Sequence, residues 1–185
     1  MKNRQQKNII FSIIAGVSIL MILTVLWFSL KDYWFRAYHN PNKNFTVSYP
    51  ASWKFAEDKD GAEVIFYSPL ENKLDFFPEN VNIVIRVYPG DPLDLKKYSD
   101  LAIHQMRLVF KENLVVVESV PMFLAGHPAH RFVFIGKGPE AELKFMCVWT
   151  IVGNMSYQVT YTALASKYDR YVDKVNKMID SFKIK

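Results

Sequence analysis

The sequence predicts an α+β protein: an α/β/α sandwich with a central, mainly antiparallel sheet covered by two amphipathic helices, preceded by one N-terminal transmembrane helix. Three observations predict it. Residues 9–30 are an uncharged apolar run behind a basic tail. Residues 45–163 alternate in short strand-like runs broken by turn formers, with one helical period among them. Residues 166–182 close the chain with a helical apolar stripe.

The run 9–30 would span roughly 33 Å as a helix, enough for a bilayer core. It ends Leu26-Trp27-Phe28-Ser29-Leu30-Lys31, with no small-x-small cleavage site and no nearby cysteine for lipidation. Ser12, Gly16, Ser18, Thr24 and Ser29 interrupt it without making a polar face. An uncleaved anchor is therefore expected at the cytoplasmic membrane. Lys2, Arg4 and Lys7 precede it, whereas Lys31 and Arg36 beyond it are partly offset by Asp32. The bias places residues 1–8 in the cytoplasm and the large domain outside. Trp27, Tyr33, Trp34 and Tyr38 crowd the exit, and such rings favour the headgroup region. Residues 31–44 are expected to be a juxtamembrane linker ahead of a domain at 45–185.

The formal charge of +5 exaggerates the basicity of that domain. Removing the three tail cations leaves 20 Lys and Arg against 18 Asp and Glu. No basic stripe with stacking aromatics appears, so nucleic acid is not an expected partner. The single cysteine, Cys147, excludes an intrachain disulfide. It lies in Phe145-Met146-Cys147-Val148-Trp149, a strand pattern that makes it a buried side chain and a poor nucleophile.

Phe45, Val47 and Tyr49 share one face of a strand stopped by Pro50. A strand begins at Trp53 and Phe55, and others occupy 62–67 and 82–88. Leu95, Tyr98, Leu101, Ala102, Met106 and Val109 recur at helical spacing, with Asp94 as N-cap. Four strands follow at 114–120, 130–135, 143–152 and 155–163, the last two joined by a tight hairpin. Ser166-Lys167-Tyr168-Asp169 has the form of a capping box. Tyr168, Tyr171, Val172, Val175, Met178, Ile179 and Phe182 then form one stripe. Short connections between consecutive strands make antiparallel neighbours.

Four pieces, in this order and spacing, resemble the PsbP-like family, named for an extrinsic subunit of the photosystem II oxygen-evolving complex. They are Phe45-Thr46-Val47-Ser48-Tyr49-Pro50-Ala51-Ser52-Trp53, Gly126-His127-Pro128-Ala129-His130-Arg131, Tyr157-Gln158-Val159-Thr160-Tyr161-Thr162-Ala163 and Met178-Ile179-Asp180-Ser181-Phe182. The resemblance implies an α/β/α sandwich, shared with a eukaryotic nuclear-transport factor that binds a small GTPase. It implies a binding or accessory module and no particular ligand. The plant subunit is soluble in the thylakoid lumen, whereas this chain carries its own apolar run, which argues against a photosystem role.

Catalytic patterns are missing: there is no G-x-S-x-G elbow and no phosphate loop. An enzyme and a cofactor are not expected. His127-Pro128-Ala129-His130 is an H-x-x-H at a turn, the one candidate for zinc or manganese, with Glu140 or Glu142 as further oxygen donors. Such metals need three or four ligands, and only two are local. Phe76 and Phe77 lie in a stretch without a strand pattern. They either tuck into the core or contact a partner. Two functional classes therefore stand: an anchored accessory subunit binding a membrane protein complex, and an extracytoplasmic metal- or small-ligand-binding domain.

Overall fold

A computed structural model describes residues 17–25, 34–90, 94–137 and 141–185. Of the expected anchor, residues 17–25 are described, and they are helical and exposed. Residues 9–16 and 26–30 lie outside the described residues, as do Trp27 and Tyr33. Among the described residues no helix is long and apolar enough to cross a membrane.

The domain has ten strands and two long helices among its described residues. In order these are β1 (Phe35–Asn40), β2 (Phe45–Pro50), β3 (Lys54–Lys59), β4 (Ala62–Tyr67), β5 (Asn80–Val87), α1 (Leu95–Phe110), β6 (Leu114–Leu124), β7 (His127–Lys137), β8 (Glu142–Val152), β9 (Met155–Leu164), α2 (Tyr168–Ser181) and β10 (Lys183–Ile184). Seven strands form one sheet in the order β3-β4-β5-β9-β8-β7-β6, and every neighbouring pair is antiparallel. A second sheet, β1-β2-β10, has three strands.

Strand alternation divides the core in two. Odd-numbered residues of β5, β7 and β9, such as Val81, Ile83, Val133, Val159 and Tyr161, face α2 and the small sheet. Even-numbered Phe132 and Phe134 of β7, with Cys147 and Trp149 of β8, face α1. The large sheet is thus covered on both faces, by α1 on one side and by α2 with the small sheet on the other.

The two helices are held differently. Helix α2 buries Tyr168, Tyr171, Val175, Met178 and Ile179, whereas the only buried residue of α1 is Ser99. The expected cap of α1 is present, with the Asp94 carboxylate accepting from the Lys97 amide at 2.7 Å. Its packed stripe runs through Leu95, Tyr98, Ala102, Ile103, Met106 and Phe110. Leu101 and Val109, expected on that stripe, are exposed. The expected capping box at Ser166 is replaced by a 3-10 turn over Ala165–Lys167, and no side chain caps α2.

Residues 35–40 correct the expected linker. They form β1, paired along its whole length with β2. The polar cluster that looked like a linker end is the turn of this hairpin: Asn40 Oδ1 accepts from the amides of Asn42 and Lys43 at 3.0 Å each. Tyr38 is consequently a core residue and not an interfacial one. It is buried, donates to Glu57 at 2.6 Å, and packs edge-on against Phe55 and Phe66. Trp34, just before β1, is half exposed.

Candidate functional site

The H-x-x-H pair sits at the start of β7. His127 and His130 are three residues apart on a regularly paired strand, so their side chains leave opposite faces of the sheet. His130 stacks on Trp149 with ring centroids 5.3 Å apart and lies 2.9 Å from Ser119 Oγ. Burial holds its imidazole below the ordinary value, against the opposing charge of Asp100. Glu142 is at the other end of the hairpin, paired with Lys137 at 3.3 Å, and Glu140 lies outside the described residues. Among the described residues no three His, Cys, Asp or Glu side chains converge as metal ligands. The pair therefore does not fit zinc or manganese, which the turn had suggested.

Beneath α1 lies a layer built around Trp149. Its indole is fully buried and donates to Ser99 Oγ at 2.8 Å, and that hydroxyl donates in turn to Leu95 O at 2.7 Å. Tyr98 and Phe132 pack against the same ring. At the far end of α1, Phe110 lies across Gly136. A Cβ at that glycine would fall within 3.0 Å of three atoms of the Phe110 ring. Cys147 shares this layer. Burial pushes its thiol up to about 12, so it is the inert core cysteine that its strand pattern predicted.

Because α1 sits over β7 and β8, its other flank is open towards β5 and β9. A cleft of about 810 Å³ runs there, between Arg86 and Gln158 of the sheet and Tyr98, Leu101, Met106 and Val109 of the helix. The even-numbered residues of β5 and β9 that continue this face include Asn82, Val84, Thr160 and Thr162, and the two threonines are buried.

Two exposed apolar surfaces stand out. The first is β6, an edge strand of eleven residues. Val115, Val116, Val117, Val120 and Phe123 are all exposed, with Phe123 at 70%. A bulge between Val116 and Glu118, in its pairing with β7, and the proline at 121 break the regularity of the strand. Both devices discourage open-ended strand addition, so contact there would be made by side chains. Pro121, inside the run, is the sequence signal of an edge strand, and it could have marked β6 as a surface.

The second is the segment between β4 and β5. Here the expected pair splits: Phe76 is 77% exposed, while Phe77 is half-buried. Leu70 and Leu74 accompany Phe76 at the surface. The base is closed by Ser68, whose amide donates to Glu79 O at 2.8 Å and whose hydroxyl donates to the buried Glu79 carboxylate at 3.1 Å. Asp75 organises the interior, accepting from the amides of Glu71 and Phe77 and pairing with Lys167 at 3.0 Å. The Glu71 amide first, and Lys167 next, hold its carboxyl below the ordinary value.

The chain resembles known proteins in fold alone. No family model matches it, and no curated protein matches its sequence. Solved structures do match its fold. Cyanobacterial PsbP (CyanoP) from Synechocystis sp. PCC 6803 is similar with a TM-score of 0.60 and 15% identity, over 82% of this chain and 92% of that one. LpqN of Mycobacterium tuberculosis, involved in cell envelope biogenesis, is similar with a TM-score of 0.63 and 13% identity, over 81% and 90%. The Ran-binding protein Mog1p of Saccharomyces cerevisiae gives a TM-score of 0.57 at 10% identity, over 81% and 95%. The chain is thus an α+β protein with a PsbP-like fold. At these identities the likeness is one of architecture, and function must be argued from surfaces.

Proposed function

We propose that this chain is a single-pass, membrane-anchored accessory subunit. Its extracytoplasmic domain binds a membrane protein complex, aids its assembly or stability, and catalyses no reaction. The observation that carries this reading is the apolar β6 edge. Five large apolar side chains are left in water on one strand, a pattern typical of a surface that a partner covers. The PsbP-like fold supports it, since the similar structures include a Ran-binding protein and an envelope-biogenesis protein. The uncharged run at 9–30 supports the anchor, and the basic tail supports the orientation.

Solubilising native membranes in mild detergent tests it. The wild-type chain should co-purify with a stoichiometric partner, and Phe123→Glu, on an exposed position, should lose that partner while remaining folded. Recovery of the wild type as a lone monomer under several conditions would count against the reading. A second reading, an extracytoplasmic small-ligand-binding domain, is favoured by the cleft beside α1 alone.

A further inference from the structure

The loop 68–79 lies at the pole where the chain enters the domain. Trp34 O accepts from the Ala51 amide at 2.7 Å. Three residues later Lys54 pairs with Tyr67, the last residue of β4, and Tyr67 pairs with Asn80, the first of β5. The loop therefore leaves and returns at this pole. A second route joins the same places: Trp53 packs edge-on against Tyr171 at 5.6 Å, and the adjacent Arg170 pairs with Glu71 of the loop at 3.1 Å.

Only residues 31–33 separate Trp34 from the last residue of the apolar run. Four Cα steps reach at most about 14 Å. If the run spans the bilayer, this pole lies within a short distance of the headgroups. Leu70, Leu74 and Phe76 are 54%, 89% and 77% exposed there, beside the exposed cation Lys73. The loop's own bonds hold them outward. Besides the Ser68–Glu79 closure and the Asp75 contacts, Asn72 Oδ1 accepts from the Leu74 amide at 2.8 Å.

We infer that the tip of this loop, through Leu70, Leu74 and Phe76, inserts into the headgroup–acyl boundary of the bilayer that the N-terminal run spans. The domain is then held to the membrane at two points. This rests on the anchored reading above. Three apolar side chains on one loop fall far short of the ~800 Å² per partner that a stable protein interface buries. Shallow insertion needs only a few apolar side chains flanked by a cation. The loop also continues the membrane surface that the apolar run defines, whereas β6 lies at the far edge of the sheet.

The test uses the full-length chain in phosphatidylethanolamine–phosphatidylglycerol vesicles. Phe76→Cys and, separately, Leu74→Cys would carry a polarity-sensitive fluorophore. Asn42→Cys, exposed in the β1–β2 turn at the opposite pole, is the reference. Cys147 is 2% exposed and stays unlabelled. The expected result is blue-shifted emission at 76 and 74, with roughly threefold more quenching by headgroup-proximal spin-labelled lipid than at 42. Equal quenching at 76, 74 and 42 in a chain that resists alkaline extraction would overturn the insertion and leave the anchor standing. Shielding seen in native membranes but not in protein-free vesicles would assign the tip to a protein partner and overturn it as well. Release of the whole chain by alkaline extraction would overturn the anchored reading and this inference with it.

Discussion

Replacing Ser99 with alanine tests how α1 is held. Ser99 is the helix's only buried residue, and its hydroxyl is the acceptor for the fully buried Trp149 indole at 2.8 Å. An indole N–H has one proton to give, so its loss of a buried partner costs about 1–3 kcal/mol. Two effects oppose this. Alanine is the better helix former by about 0.5 kcal/mol, and the Ser99 bond back to Leu95 O contributes little to a helix. The net loss should be about 0.5–2.5 kcal/mol, or about 1–10 °C in Tm for a domain of this size. Thermal unfolding of the full-length chain in mild detergent would measure it. Hydrogen exchange should show the loss concentrated in α1. In the cycle with Trp149→Phe, which removes the donor, the two losses should be sub-additive by about 1 kcal/mol. A Ser99→Ala variant as stable as wild type, or strict additivity, would refute this account of the docking.

Three further outcomes are expected. Gly136→Ala drives a Cβ into the Phe110 ring and should cost about 1–3 kcal/mol, with Phe110→Leu added to it recovering part of the loss in a urea titration. The unfolded chain takes up a proton at His130 before the folded one does, because burial depresses the folded value. Stability should therefore fall as pH drops through and below 6.5, and His130→Phe should flatten that slope in denaturant titrations. Cys147, with its thiol pushed up to about 12, should resist a maleimide at neutral pH and react only at the rate at which the core opens.

Elements with strong periodicity were legible in the sequence. Alternation located β2, β4, β8 and β9 within a residue or two, and the Asp94 cap located α1. What escaped was decided by tertiary pairing. Phe-Arg-Ala-Tyr-His-Asn at 35–40 has no strand alternation, and it is a strand because β2 offers a pairing edge and Tyr38 an aromatic pocket. Leu101 and Val109 match a helical stripe as well as Ile103 and Phe110 do. Only the position of β7 and β8 under the helix decides which pair packs against the sheet. The two histidines looked adjacent at a turn, but the turn proper is Ala125-Gly126, both with positive φ. Strand parity then separates His127 from His130. Phe76 and Phe77 carry identical chemistry, and the Asp75 bonds determine which one faces water.

The placement of β1 and β10 on either side of β2 has a mechanical consequence. The chain enters at Phe35, at one end of β2, and leaves at Ile184, at the other. Tension between a point before Phe35 and a point after Ile184 would slide β1 and β10 in opposite directions along β2. The six register pairs of β1 with β2 would then be loaded together, rather than unzipped one at a time. A domain tethered at one pole and gripped at the other would resist being pulled apart along that line.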